Sequence, residues 1–109
     1  MGYVGAMLDL APYRESLAAF ARRWQVRELA LFGSAVRDDF GPGSDVDLLV
    51  TFEDGETWSL LDLVQMKLEL EDLFERPVDV VTRPAVERSP NWIRRSAILD
   101  SARTVYAVG

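Results

Sequence analysis

The sequence predicts an α/β domain, a small mixed β-sheet of about four strands with helices packed mainly on one face. Three observations predict it. Apolar, largely β-branched or leucine-rich runs at 26–32, 46–52 and 78–82 read as buried strands. Stretches with apolar residues three and four apart alternate with those runs and read as helices. Glycine, proline and capping residues stand at the junctions.

Asp9 stands where it caps a helix in which Tyr13, Leu17, Phe20 and Trp24 recur at spacings of four, three and four, a single apolar stripe. Pro12 falls in the first turn, where its missing N–H is tolerated. From Val26 to Phe32 the pattern turns β-like and leads into Gly33. Ala35 to Asp39 reads as a short helix, ended by the breaker-rich loop Gly41-Pro42-Gly43-Ser44. Val46 to Phe52 is a second strand, nearly continuous in apolar residues and closed by Glu53-Asp54-Gly55-Glu56.

Ser59, with Asp62 three residues on, forms a capping arrangement for a helix over Leu60 to Phe74 that carries Leu63, Met66, Leu70 and Leu73 on one side. Glu69, Glu71, Asp72 and Glu75 gather towards its end and read as a solvated outer face, slightly unfavourable to the helix dipole. Pro77 stops the helix and Val78 to Thr82 is the third strand. Ser89-Pro90 reads as a cap followed by proline at the first position of a helix reaching Ser101, with Trp92 or Ile93 and Ala97 turned inward. Thr104 to Val108 is the last short strand.

Composition narrows the chemistry. With 109 residues, 49% hydrophobic, the chain holds one core, and a single domain over 1–109 is expected. A net charge of −6 argues against a nucleic-acid polymer as main ligand, because phosphate affinity needs clustered cations. Local arginine clusters, Arg22, Arg23 and Arg27 early and Arg88, Arg94, Arg95 and Arg103 late, read either as solvated helix faces or as a surface for an acidic partner or nucleotide phosphates. Cysteine and histidine are absent, which removes disulfides, zinc fingers, thiolate nucleophiles and imidazole bases and leaves carboxylates as the available bases. No run is long enough to span a membrane and no signal-peptide layout opens the chain, so a cytoplasmic location is expected.

The carboxylates that matter follow a glycine-serine turn. Gly33 allows a sharp backbone turn after a strand, and Ser34 caps a short helix whose free N–H groups attract phosphate. On the next strand Asp45 and Asp47 lie two apart, on one face, with Val46 turned to the core. Asp79 interrupts the apolar run Pro77-Val78-Asp79-Val80-Val81 and faces away from Val78 and Val80, so it joins the pair if its strand lies beside theirs. Three such acids repel one another unless a hard cation sits between them.

The order Gly33-Ser34, ten residues, Asp45-Val46-Asp47 resembles the signature of the DNA polymerase β nucleotidyltransferase superfamily, and most closely its smallest branch, the minimal nucleotidyltransferase (MNT) domains. Arg37 and the run Ser44 to Val50 agree with that style, and the resemblance spans Leu29 to Val81. It implies a nucleotidyltransferase-like fold in which Gly33 and Ser34 hold the phosphates of ATP, Arg37 steadies their charge, and Asp45, Asp47 and Asp79 bind two Mg²⁺ ions, Asp79 also taking the acceptor's proton. It further implies a partner, a helical HEPN-type toxin that receives AMP on a tyrosine hydroxyl and is thereby neutralised. Two other readings stay open: a non-catalytic antitoxin that works by covering its partner, and a small-molecule nucleotidyltransferase completed by a second copy of itself.

Overall fold

The computed structural model describes residues 10–33, 45–53 and 58–108. Strands β1 (Val26–Phe32), β2 (Val46–Phe52), β3 (Val78–Thr82) and β4 (Arg103–Ala107) form one sheet in the order β3-β2-β1-β4. β1 runs antiparallel to β2 and to β4, whereas β2 and β3 are parallel. A parallel pair cannot be joined by a hairpin, and helix α2 (Leu60–Phe74) supplies the crossover. The first three strands and α2 keep the bounds that the apolar patterns predict, because each is a run whose periodicity matches its burial.

The entry to the fold is tighter than a plain helix. A 3-10 turn over Ala11–Tyr13, with Pro12 inside it, leads into α1 (Arg14–Arg23), whose N-cap position is Tyr13 with no side-chain capping bond. The expected cap Asp9 lies outside the described residues, as do the helix predicted at 35–39 and the loop at 41–44. The start of α2 follows its sequence closely: Ser59 Oγ accepts from the Asp62 N–H (3.1 Å) and the Asp62 carboxylate accepts from the Ser59 N–H (3.0 Å), a reciprocal capping box. At the other end Glu75 adopts φ 56°, two residues before Pro77. That left-handed residue ends the helix.

Strand alternation divides the apolar residues between two layers. Val46, Leu48 and Val50 of β2 join Leu29 and Leu31 of β1 and Val78 of β3 against Leu17, Phe20 and Ala21 of α1 and Met66, Leu70 and Phe74 of α2. This is the main core, on the face that carries the principal helices. Leu49, Ala30 and Phe32 point the other way and meet Val86 of α3 (Arg83–Glu87) and Ile98 of α4 (Trp92–Ser101). The second layer is small.

Both short helices depart from the expected pattern. α3, with Pro84 in its first turn, is an additional element between β3 and α4 that carries too few turns to show a helical period. α4 is capped by Asn91, whose Oδ1 accepts from the Arg94 N–H (3.1 Å), and not by Ser89, whose Oγ accepts from the Asn91 N–H instead. With the start moved, the inward residue is Ile98, while Trp92 and Ile93 are each 64% exposed and Ala97 is also exposed. Among the described residues no helix is long and apolar enough to cross a membrane.

At one edge of the main core Trp58 packs edge-on against Trp24 (5.1 Å between ring centroids) and Phe52 (6.3 Å). Its indole Nε1 is buried with no hydrogen-bond partner among the described residues. A buried donor without an acceptor costs about 1–3 kcal/mol, so Trp58→Phe is expected to be neutral or stabilising. Trp58→Ala, which removes the ring as well, is expected to cost about 3 kcal/mol. Urea denaturation of the two variants checks both signs.

Candidate active site

The register between β2 and β3 brings two of the predicted acids side by side. Val46 pairs with Val78, and Asp47 pairs with Asp79. Neighbouring strands lie about 4.8 Å apart and paired residues share a face, so the two carboxylates leave the sheet together. The condition stated for Asp79, that its strand neighbour the Asp45-Asp47 strand, is met. Asp79 is exposed and Asp47 half-buried, which leaves the pair open to solvent at the edge of the second, smaller layer.

Gly33 stands against the same carboxylate. Phe32 pairs with Asp47 across β1 and β2, and Gly33 follows at φ +67°, the left-handed region that favours glycine. A Cβ placed on Gly33 would overlap Asp47 Oδ2 and come within 3.3 Å of its Cγ. The glycine is therefore needed twice, for the turn and for the close approach of the backbone to the acid.

Asp45 lies immediately before β2, two residues from Asp47, and is exposed. Among the described residues no three acids gather closely enough to hold a metal ion, so the structure joins Asp47 to Asp79 and does not add Asp45 as a third member. Ser34 and Arg37 lie outside the described residues.

Two further residues hold this arrangement in place, and neither stands out in the sequence. Glu71 of α2, read from its spacing as part of a solvated face, accepts from the backbone N–H of Val78 (3.0 Å) and pairs with Lys67 one turn earlier. It ties the end of the crossover helix to the residue that precedes Asp79. Arg83 lies on the acidic face beyond the end of β3: its Nε donates to Thr51 Oγ1 (3.0 Å) and its other nitrogens approach Glu28 (3.6 Å) and Glu87 (3.9 Å), fastening β1, β2 and α3 together. The one signal for Glu71 is the Lys67 spacing of four. Its bond to Val78 is visible only once the chain is folded.

Nucleotidyltransferase domains match this chain over residues 14–105. The chain belongs to that family. The protein adenylyltransferase MntA of Thermococcus cleftensis is 38% identical over 86 residues, which cover 75% of this chain and 85% of that protein. A candidate protein adenylyltransferase of Methanocaldococcus jannaschii is 46% identical over 57 residues, 52% of this chain but only 59% of that relative's length. Among solved structures, a candidate minimal nucleotidyltransferase superposes with a TM-score of 0.65 at 35% identity, over 86% of this chain and 90% of its own. The complex of a tri-AMPylated Shewanella oneidensis HEPN toxin with its MNT antitoxin gives a TM-score of 0.64 at 15% identity, over 92% of this chain and 74% of that one, a likeness of fold.

Two outcomes follow from the geometry. Gly33→Ala combines a disfavoured φ with the overlap on Asp47 and is expected to destabilise by about 1–3 kcal/mol. Adding Asp47→Gly should restore the part due to overlap and leave the part due to φ, a double-mutant cycle read by denaturation.

Glu71 titrates in a defined direction. The hydrogen bond from Lys67, then that from the Val78 N–H, holds its carboxyl below the ordinary glutamate range. A carboxylate lowered on folding contributes stability above its ordinary value, and the contribution is lost as pH falls through the lowered one. Glu71→Gln should therefore flatten the fall in stability below about pH 4.3 relative to the parent chain, measured as urea midpoints across a pH series.

Proposed function

We propose that the chain transfers the AMP moiety of ATP to a tyrosine hydroxyl of a HEPN-type toxin and acts as that toxin's antitoxin. One observation carries the reading: Asp47 and Asp79 stand in register on one sheet face beside the Gly33 turn, in a member of the nucleotidyltransferase family. The names of two kinds of relative support the rest, an adenylyltransferase in one case and an AMPylated HEPN toxin bound to its MNT antitoxin in the other.

The residues present fit magnesium. Carboxylate oxygens alone suit a hard cation that keeps several waters and takes its other ligands from phosphate. Gly33, lacking a Cβ, lets the Asp47 carboxylate sit directly against the backbone of the turn. Asp47 and Asp79 would hold the metal, since Mg²⁺ is bound by one or two carboxylates beside phosphate and water, and Mg²⁺ there would offset the charge of the triphosphate and of the departing pyrophosphate.

The chain's own residues then have separate tasks. The backbone at Gly33 and Ser34, with Arg37, holds the phosphates and sets the α-phosphorus towards the acceptor. Asp79 takes the proton of the acceptor hydroxyl as its oxygen bonds to the α-phosphorus, since the chain has no histidine for that step. The bond from the α-phosphorus to the bridging oxygen breaks, and pyrophosphate leaves with its electron pair. The acceptor comes from the partner protein.

The test is incubation of the chain with Mg²⁺, ATP labelled in its α-phosphate and a HEPN-type toxin. Label is expected on a toxin tyrosine, with a loss on the order of 10²-fold or more in Asp47→Asn and Asp79→Asn. No transfer, with neutralisation intact in an Asp45→Asn, Asp47→Asn variant, would establish the non-catalytic antitoxin in its place. Transfer to a small molecule and none to the toxin would establish the third reading.

A further inference from the structure

Strand β3, which carries Asp79, stands at one end of the sheet order β3-β2-β1-β4, so among the described residues no strand lies on its outer side. The parallel register fixes which backbone groups face that side. The Val46 N–H donates to the Pro77 carbonyl (2.9 Å), which turns the backbone groups of Asp79 and Val81 towards β2 and those of Val78 and Val80 outward. Val78 obeys this rule, since its N–H donates to the Glu71 carboxylate of α2 and not to a strand (3.0 Å). The N–H and carbonyl of Val80 point the same way, and among the described residues neither has a partner there. Such an edge is a template for another strand.

The two sides of this edge differ in chemistry. Asp79 leaves the sheet on the face it shares with Asp47, opposite to Val78 and Val80. On the other face α2 overhangs the edge. Leu60, Val64, Lys67 and Glu71 recur at spacings of four, three and four, one face of the helix, and the bond from Val78 to Glu71 places that face over β3. Its first half is apolar and uncovered, with Leu60 76% and Val64 45% exposed. The crossover must return against the strand direction, so Val64, two turns or roughly 10 Å back from Glu71, comes level with Val81.

We propose that an extended, tyrosine-bearing segment of the partner protein docks as a further strand on the free edge of β3, hydrogen-bonded through Val80, with its tyrosine on the Asp79 face and a neighbouring apolar residue against Leu60 and Val64. The inference rests on the nucleotidyl-transfer reading and names how the acceptor of that reaction is held. Successive side chains of a strand point to opposite faces, so one short segment satisfies both sides of the edge. The residue opposite Asp79 shares its face, with the two Cβ atoms about 5 Å apart. A tyrosine there extends past the carboxylate and carries its hydroxyl above the acidic pair, whereas a serine at the same place ends short of it. Strand pairing thus selects the acceptor by side-chain length as well as by position.

The experiment uses the full chain with Mg²⁺ and a HEPN-type toxin. ATP labelled in its α-phosphate first establishes transfer to a toxin tyrosine. Amide hydrogen exchange of the isotopically labelled chain is then followed by NMR, alone and with the toxin. The Val80 N–H is expected to exchange about tenfold or more slowly in the complex, while the Val81 N–H, already paired with β2, stays within about twofold. In steady-state transfer, Val64→Lys should raise the KM for the toxin by about tenfold and keep the KM for ATP within about twofold, whereas Val64→Ile should match the parent in both. Thermal melts establish that each variant is folded.

Transfer to a toxin tyrosine with no slowing at the Val80 N–H overturns the strand docking and leaves the transfer reading standing. So does a folded Val64→Lys with the parent's KM for the toxin. A Val80 N–H that is protected before toxin is added, and loses protection on dilution, assigns the edge to a second copy of the chain and overturns the proposal as well. If Val64→Lys does not fold, exchange at Val80 decides alone. A parent chain that labels no toxin tyrosine removes the transfer reading and this inference with it.

Discussion

The parallel register of β2 and β3 is the constraint on which the candidate site depends. A shift of one residue would turn Asp79 to the face occupied by Val78 and Val80, into the main core, and separate it from Asp47. Burial of Val46, Leu48 and Val50 against α1 and α2 fixes which face β2 turns outward. Val78 does the same for β3, and Glu71 pins the backbone there from the crossover helix. The carboxylates are therefore held in register by the apolar packing behind them, through the backbone.

This division of labour explains why the two layers differ in size. Helices α1 and α2 cover one face with large side chains, and that face supplies the stability. On the other, Ala30, Phe32, Leu49, Val86 and Ile98 form a smaller cluster, which among the described residues does not extend to the Asp47 and Asp79 ends of β2 and β3. The acids emerge where that cover stops, beside a glycine whose missing Cβ admits the Asp47 carboxylate.

The sequence shows some of this plainly. Runs with a clear period carry their own boundaries, and β1, β2, α2 and β3 are legible because each buries one consistent set of residues. The capping box at Ser59 and Asp62 is legible for a different reason, since both partners lie within one turn. Where the period is short or the signal ambiguous, reading fails. α3 is a single short helix without an apolar stripe, and Ser89-Pro90 imitates a helix start that Asn91 provides, which rotates the inward face of α4 to Ile98 and leaves Trp92 and Ile93 outside.

By itself the sequence determined the family of acids, the turn before them and the chemistry excluded by the absence of histidine and cysteine, because these depend on residue type and spacing along the chain. Only the tertiary structure decided that Asp47 and Asp79 are partners, that Gly33 touches one of them and that Glu71 holds the strand bearing the other. The physical reason is that pairing across a sheet is set by which faces are buried and by the helix that closes the crossover, and neither is written in the local neighbourhood of the residues it brings together.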